Sequence, residues 1–147
     1  MKNKFPSVII NLLFLFLFLS ITETSFSQEN NSKWLIINNK TFIDTSNILI
    51  SNDELYVWVL ELNSPPLIIE NIDREIFKTK TYYLINKNLK RYSILQIIYY
   101  DKKENVIKSF SYNYDWDDIT LKYSTPILEG STMDTVLNKC MEFSLNK

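Results

Sequence analysis

Apolar positions along the chain change period several times. Near the N-terminus they form one uninterrupted run, VIINLLFLFLFL from Val8 to Leu19, preceded by Lys2 and Lys4 and followed by the small residues Ser25 and Ser27. A basic start, an apolar stretch of about a dozen residues and small residues at minus three and minus one describe a secretory signal over 1–27. The run is shorter than the roughly 20 residues of a spanning helix, so no stable membrane span is expected after cleavage. The exported domain is then expected over 28–147, and SQENNSK at 27–33 reads as a polar leader ahead of the ordered chain from Trp34.

From Trp34 onward the pattern favours strands. WLII, TFID at 41–44 and NILI at 47–50 are short pieces bounded by Asn and Ser pairs. LYVWVLEL at 55–62 puts Tyr56, Trp58, Leu60 and Leu62 on one face and Leu55, Val57, Val59 and Glu61 on the other. Both faces are largely apolar, so this strand requires a covering helix, a second sheet layer or a subunit. Asn63-Ser64-Pro65-Pro66 is expected to end it, because proline removes ladder donors. LIIENIDREIF at 67–77 matches neither period and is left open between a short strand and an irregular helix.

Beyond Thr79 three β-rich runs follow, TKTYYLIN, RYSILQIIYYD and VIKSFSYNY, the last two joined by a DKKEN turn as a hairpin. In the middle run, alternation sets Tyr92, Ile94, Gln96, Ile98 and Tyr100 against Arg91, Ser93, Leu95, Ile97 and Tyr99. In the third it sets Val106, Lys108, Phe110, Tyr112 and Tyr114 against Ile107, Ser109, Ser111 and Asn113. Helical spacing appears last. Met133, Val136, Leu137, Cys140 and Met141 fall on one face behind a Ser131 cap with Asp134 three residues on, predicting an amphipathic helix from about Thr132 to Met141. So short a helix must rest on the sheet. The fold class is α+β, an antiparallel β-sheet with a packed C-terminal helix.

Composition narrows the chemistry. The 147 residues contain no histidine, one glycine and one cysteine. Ser-His-Asp, Cys-His and His-ligated metal schemes are therefore closed, as is a glycine-rich phosphate cradle, and no catalytic, cofactor or metal residues are assigned. Asp115, Asp117 and Asp118 around Trp116 lack the turn glycine and terminal glutamate of a calcium loop. A carboxylate-based hydrolase stays a distant alternative, because the separation it needs is spatial. Loss of Lys2, Lys4 and Glu23 with the signal takes the 16 basic and 17 acidic groups to 14 and 16, shifting the net charge from -1 to -2. No basic block exceeds a pair, so nucleic acid is not an expected partner; Lys78, Lys80, Lys87, Lys90 and Arg91 read as a solvated sheet face. Cys140 has no internal partner for a disulfide, and its place on the apolar helix face predicts burial.

Several segments resemble the bacterial surface-adhesin protein E family. They are Trp34 with FIDTSNI at 42–48, YVWV at 56–59, RYSILQIIYYDKKENVI at 91–107, Trp116, and PILEGSTMDTVLNKC at 126–140. The chain departs from the family in having no cysteine within 82–92 to pair with Cys140, and in carrying Glu129 where a proline usually precedes Gly-Ser. The resemblance implies an antiparallel sheet with helical packing in the periplasm or on the cell surface, leaves a homodimer open, and brings adhesion to host matrix and serum proteins as the role of the best-known member. The expected function is a noncatalytic exported envelope or surface domain that binds an extracellular or envelope protein. A small-ligand domain using an aromatic sheet face is the alternative. The candidate surface residues are Tyr56, Trp58, Tyr99, Tyr100, Tyr112, Tyr114 and Trp116.

Overall fold

Eight strands form one antiparallel sheet, with a helix following the last of them, in a computed structural model that describes residues 33–114 and 122–145. The proposed signal, most of the polar leader, Trp116 and the acidic residues around it lie outside the described residues. The strands are β1 (Trp34–Ile36), β2 (Thr41–Asp44), β3 (Leu49–Ser51), β4 (Glu54–Leu67), β5 (Ile76–Asn86), β6 (Arg91–Tyr100), β7 (Val106–Ser111) and β8 (Thr125–Pro126), and the helix is α1 (Thr132–Leu145). Their order is β1-β2-β4-β5-β6-β7, with β3 pairing β4 beyond the end of β2 and β8 pairing the start of β6.

The α+β architecture follows from where the apolar faces go. Leu55, Val57 and Val59 of β4 join Ile43 of β2, Ile85 of β5 and Ile127 in a buried core, closed by Val136, Leu137 and Cys140 of α1. The helix starts where its cap predicts: Ser131 Oγ accepts from the Asp134 amide at 3.2 Å, and Asp134 Oδ2 accepts from the Gly130 amide at 3.0 Å. It continues one turn past the expected Met141. Cys140 is fully buried, and burial pushes its thiol up to about 12. Thiol-reactive dye should label it at least roughly 100-fold more slowly in the folded protein than in denaturant; equal rates would contradict this packing.

Two sequence expectations are corrected. The first concerns Asn63-Ser64-Pro65-Pro66, which does not end β4. The strand runs through to Leu67 because the ladder opens there: Leu62 pairs Lys78, the next pair is Leu67 with Ile76, and no donor is demanded of either proline. Side chains take over the bonding. Asn63 Nδ2 donates to the Ile76 carbonyl at 3.2 Å and to Thr79 Oγ1 at 3.0 Å, and Lys40 Nζ donates to the Ser64 carbonyl at 2.7 Å. The ambiguous run at 67–77 is mostly loop, with Ile76 and Phe77 opening β5.

The second is a bulge at Leu95. Tyr82 pairs Gln96 and Tyr83 pairs Ile94, so alternation in β6 reverses between them. Tyr92 and Ile94 therefore share the helix-side face with Ile97 and Tyr99, while Gln96, Ile98 and Tyr100 lie on the opposite face with Arg91 and Ser93. The carbonyls exposed by the bulge are both used: Leu95 accepts from the Tyr112 amide at 2.9 Å and Ile94 from the Tyr114 hydroxyl at 2.7 Å.

With a single glycine in the chain, tight turns fall to other residues. Asn52, Asn71, Lys90 and Glu104 all take positive φ, between 48 and 68°. In the β6–β7 turn this is supported by Asp101, whose carboxylate accepts from the amides of Lys103 and Asn105 at 2.8 and 2.9 Å.

Candidate functional site

The face of the sheet away from α1 carries a connected row of aromatic side chains. Pairing of β4 with β5 places Trp58 opposite Tyr82, Leu60 opposite Lys80 and Tyr56 opposite Leu84, while β2 adds Phe42 opposite Leu60 and β1 adds Trp34. Trp58 and Tyr82 stack with centroids 4.7 Å apart, and Tyr56 lies 6.3 Å from Tyr82. Lys80 passes between the two tryptophans, its Nζ 4.7 Å from the Trp58 ring centre and 5.5 Å from that of Trp34. Burial lowers the Lys80 ammonium below its ordinary value, opposed by the charge of Asp44. Cation–π attraction to two rings is the compensation for that desolvation.

Asp44 is itself buried. Burial alone would raise its carboxyl, but hydrogen bonds from Ser46 and Asn47 outweigh burial and hold it low. Ser46 donates through its hydroxyl at 2.5 Å and its amide at 3.0 Å, and Asn47 donates at 2.9 Å, so the Asp-Thr-Ser-Asn sequence folds into a 3-10 turn that links β2 to β3. The Asp44 carboxylate, held low in this way, is the charge that acts on Lys80 in the aromatic row.

One end of this face is covered by the chain entering β8. Arg91 Nε donates to the Tyr123 carbonyl at 2.6 Å and its second nitrogen to that of Ser124 at 2.7 Å, while the Ser93 hydroxyl bonds the Lys122 carbonyl. Lys122 Nζ meets Glu54 Oε1 at 2.5 Å, and Glu54 also accepts from the hydroxyls of Tyr123 and, at 2.7 Å, Tyr56. The Lys122 bond, then that of Tyr123, holds the Glu54 carboxyl down to about 2. The Tyr56 phenol is pushed far up by burial and by this carboxylate. Past this strap Phe42, Trp34, Trp58, Leu60 and Tyr82 remain partly exposed, flanked by Ile36, Leu49 and Leu62 at 66, 60 and 38% exposure.

The seven sequence-derived candidates do not form one surface. Tyr56 and Trp58 come together in the row just described, and Tyr100 lies on the same face at its far end, opposite Lys78. Tyr99 is on the helix-side face, where it meets Phe110 edge-on at 6.0 Å and shares a cleft with Tyr112. Tyr114 is tied to the Leu95 bulge. Trp116 lies outside the described residues. Sequence reasoning missed Trp34, Lys80, Tyr82 and Glu54. Alternation in TKTYYLIN already aligned Lys80 with Tyr82, but only the β4–β5 register sets them beside Trp58. The five basic residues read as a solvated face are partly committed: Arg91 to carbonyls, Lys80 to the tryptophans, and Lys78 to Glu104 at 2.5 Å.

Neither a family model nor a curated protein matches the sequence. Among solved structures the chain is similar to Haemophilus influenzae protein E. Crystal form II of that protein aligns with a TM-score of 0.49 and 16% identity over 76% of this chain and 85% of that one. A second structure of it gives 0.46 and 13% over 76% and 84%. The likeness is one of distant structural similarity and assigns no family. Among the described residues, no helix is long and apolar enough to cross a membrane and no three His, Cys, Asp or Glu side chains are grouped to hold a metal.

Proposed function

We propose that the chain is an exported, noncatalytic envelope or surface domain that recognises a protein partner through the sheet face away from α1. The observation carrying this reading is the row Trp34, Trp58, Tyr82 and Tyr56 with Lys80 between its tryptophans, partly exposed and bordered by exposed Ile36, Leu49 and Leu62. Aromatic residues dominate the energetics of protein interfaces, and an apolar patch of this kind on a small domain marks an interaction surface. The stacked pair is pre-ordered, so little side-chain entropy is lost when a partner covers it. Export is supported by the basic and apolar pattern of residues 2–27.

The test is quantitative capture from envelope and host extracellular extracts. Wild-type protein should retain a saturable partner, and Trp58→Ala should weaken that partner at least tenfold, with Leu128→Ala, an exposed apolar position elsewhere, as the unchanged control. Equal retention by Trp58→Ala and wild type, with both folded, would sink the proposal.

A further inference from the structure

On the opposite face, beyond the reach of α1, a cleft of about 310 Å³ lies between the turn at 69–72 and the far ends of β6 and β7. Ile69 and Ile72 form its wall, and Tyr99, Lys108, Phe110 and Tyr112 its floor. The turn is closed by the Ile72 amide donating to the Ile69 carbonyl at 3.1 Å, with Asn71 at φ 68°. Register makes the floor: Tyr99 pairs Lys108 and Ile97 pairs Phe110, so all four point to one side.

The donors of this cleft are unspent. Lys108 forms no ion pair among the described residues; its ammonium lies 5.1 Å over the Phe110 ring. The Tyr99 and Tyr112 hydroxyls find no hydrogen-bond acceptor there either, although burial and the neighbouring Tyr112 raise the Tyr99 phenol. One ammonium and two phenol hydroxyls thus share a concave space with an aromatic ring and two isoleucines, the combination of apolar walls and a few convergent polar groups that small-ligand sites use. The exposed carboxylate of Glu70 at the rim repels a second negative charge.

We propose that this cleft binds a compact organic monocarboxylate with an aromatic or branched apolar body, the carboxylate meeting Lys108 and the two phenols and the body resting on Phe110, Ile69 and Ile72. The volume is at the lower end of ligand pockets, about 300 to 1,000 Å³, which fits a single ring and excludes larger cofactors. A dianionic phosphate is disfavoured by having one cation opposed by Glu70. This site is separate from the Trp58 row and extends the function beyond protein recognition.

Phenylacetate is the probe, titrated into purified 15N-labelled protein while amide shifts are followed. Saturable shifts should centre on Ile72, Tyr99 and Lys108. Half-saturation should need at least tenfold less phenylacetate than neutral phenylacetamide or cationic phenethylamine. Lys108→Met should weaken phenylacetate at least tenfold and erase its advantage over the amide, and Lys108→Arg should restore both. Because Lys108 is exposed, the thermal midpoint of either variant should match wild type. No saturable shift at these residues, equal binding of acid and amide, preference for the amine, or indifference to Lys108→Met each overturns the site. Trp58→Ala should leave phenylacetate binding unchanged, so the two proposals fail separately.

Discussion

Leu137→Ala is expected to lower the unfolding free energy by about 2–4 kcal/mol, whereas Leu128→Ala, nine residues earlier, should change it by less than about 1 kcal/mol. The two side chains are identical and close in sequence, yet Leu137 is 5% exposed and Leu128 67% exposed. Leu137 closes the core over Val57, Ile85 and Ile43, so its truncation removes transfer energy and leaves a cavity that a rigid sheet cannot collapse into. Leu128 loses little it had not already lost to water. Thermal unfolding of the two variants beside wild type measures this, with the Leu137 variant melting roughly 10 °C lower. Similar midpoints would show that α1 does not supply the sheet's cover. With one cysteine and no internal disulfide open to it, this packing is the chain's principal source of stability.

Glu54→Gln should have the next largest effect, about 1–2 kcal/mol at neutral pH after allowance for solvent around the cluster. The carboxylate accepts from Lys122, Tyr123 and Tyr56 together, and it fastens the segment entering β8 to the start of β4. Glutamine keeps the size but loses the charge. The pH dependence has a defined sign. The folded carboxyl sits near 2 against an ordinary value of 4.5, so the stabilisation is complete above about 4.5 and is lost as pH falls toward 2. Glu61, raised by burial, acts in the opposite direction, its penalty easing as pH falls. Subtracting the profile of Glu54→Gln from that of wild type isolates Glu54. A difference that shrinks between pH 4.5 and 2 supports the strap, and a flat one removes it.

The elements readable in advance were those set by local chemistry. TFID at 41–44 is β2 to the residue, the DKKEN turn joins β6 and β7, and Ser131 starts α1 with Cys140 on its buried side. Each depends on residues within a few positions of one another. The misread features depend on distant partners. The prolines stay in β4 because Asn63 and Lys40 reach carbonyls that strand periodicity cannot reveal. The bulge at Leu95 separates Tyr92 and Ile94 from Gln96, Ile98 and Tyr100, the residues that simple alternation had grouped. Alternation already set Tyr99 and Tyr100 on opposite faces, but only the pairing of β4, β5 and β6 shows that Tyr100 is the one sharing a face with Tyr56 and Trp58. Tyr56 and Trp58 were legible as neighbours on one strand, but Lys80, Tyr82 and Trp34 join them only through the β4–β5 and β1–β2–β4 registers. Glu54 and Lys122 are 68 residues apart and carried no mutual signal.

The central claim is that the sheet face opposite α1 is a recognition surface. Site-specific photocrosslinking in the exporting cell tests it most directly, with p-benzoylphenylalanine placed at Trp58, at Tyr82 and, as a control, at Leu128. Recognition predicts a discrete adduct with another protein from Trp58 and Tyr82 and none from Leu128. No adduct from the aromatic positions, an adduct only with a second copy of the chain, or the same pattern from all three would contradict it.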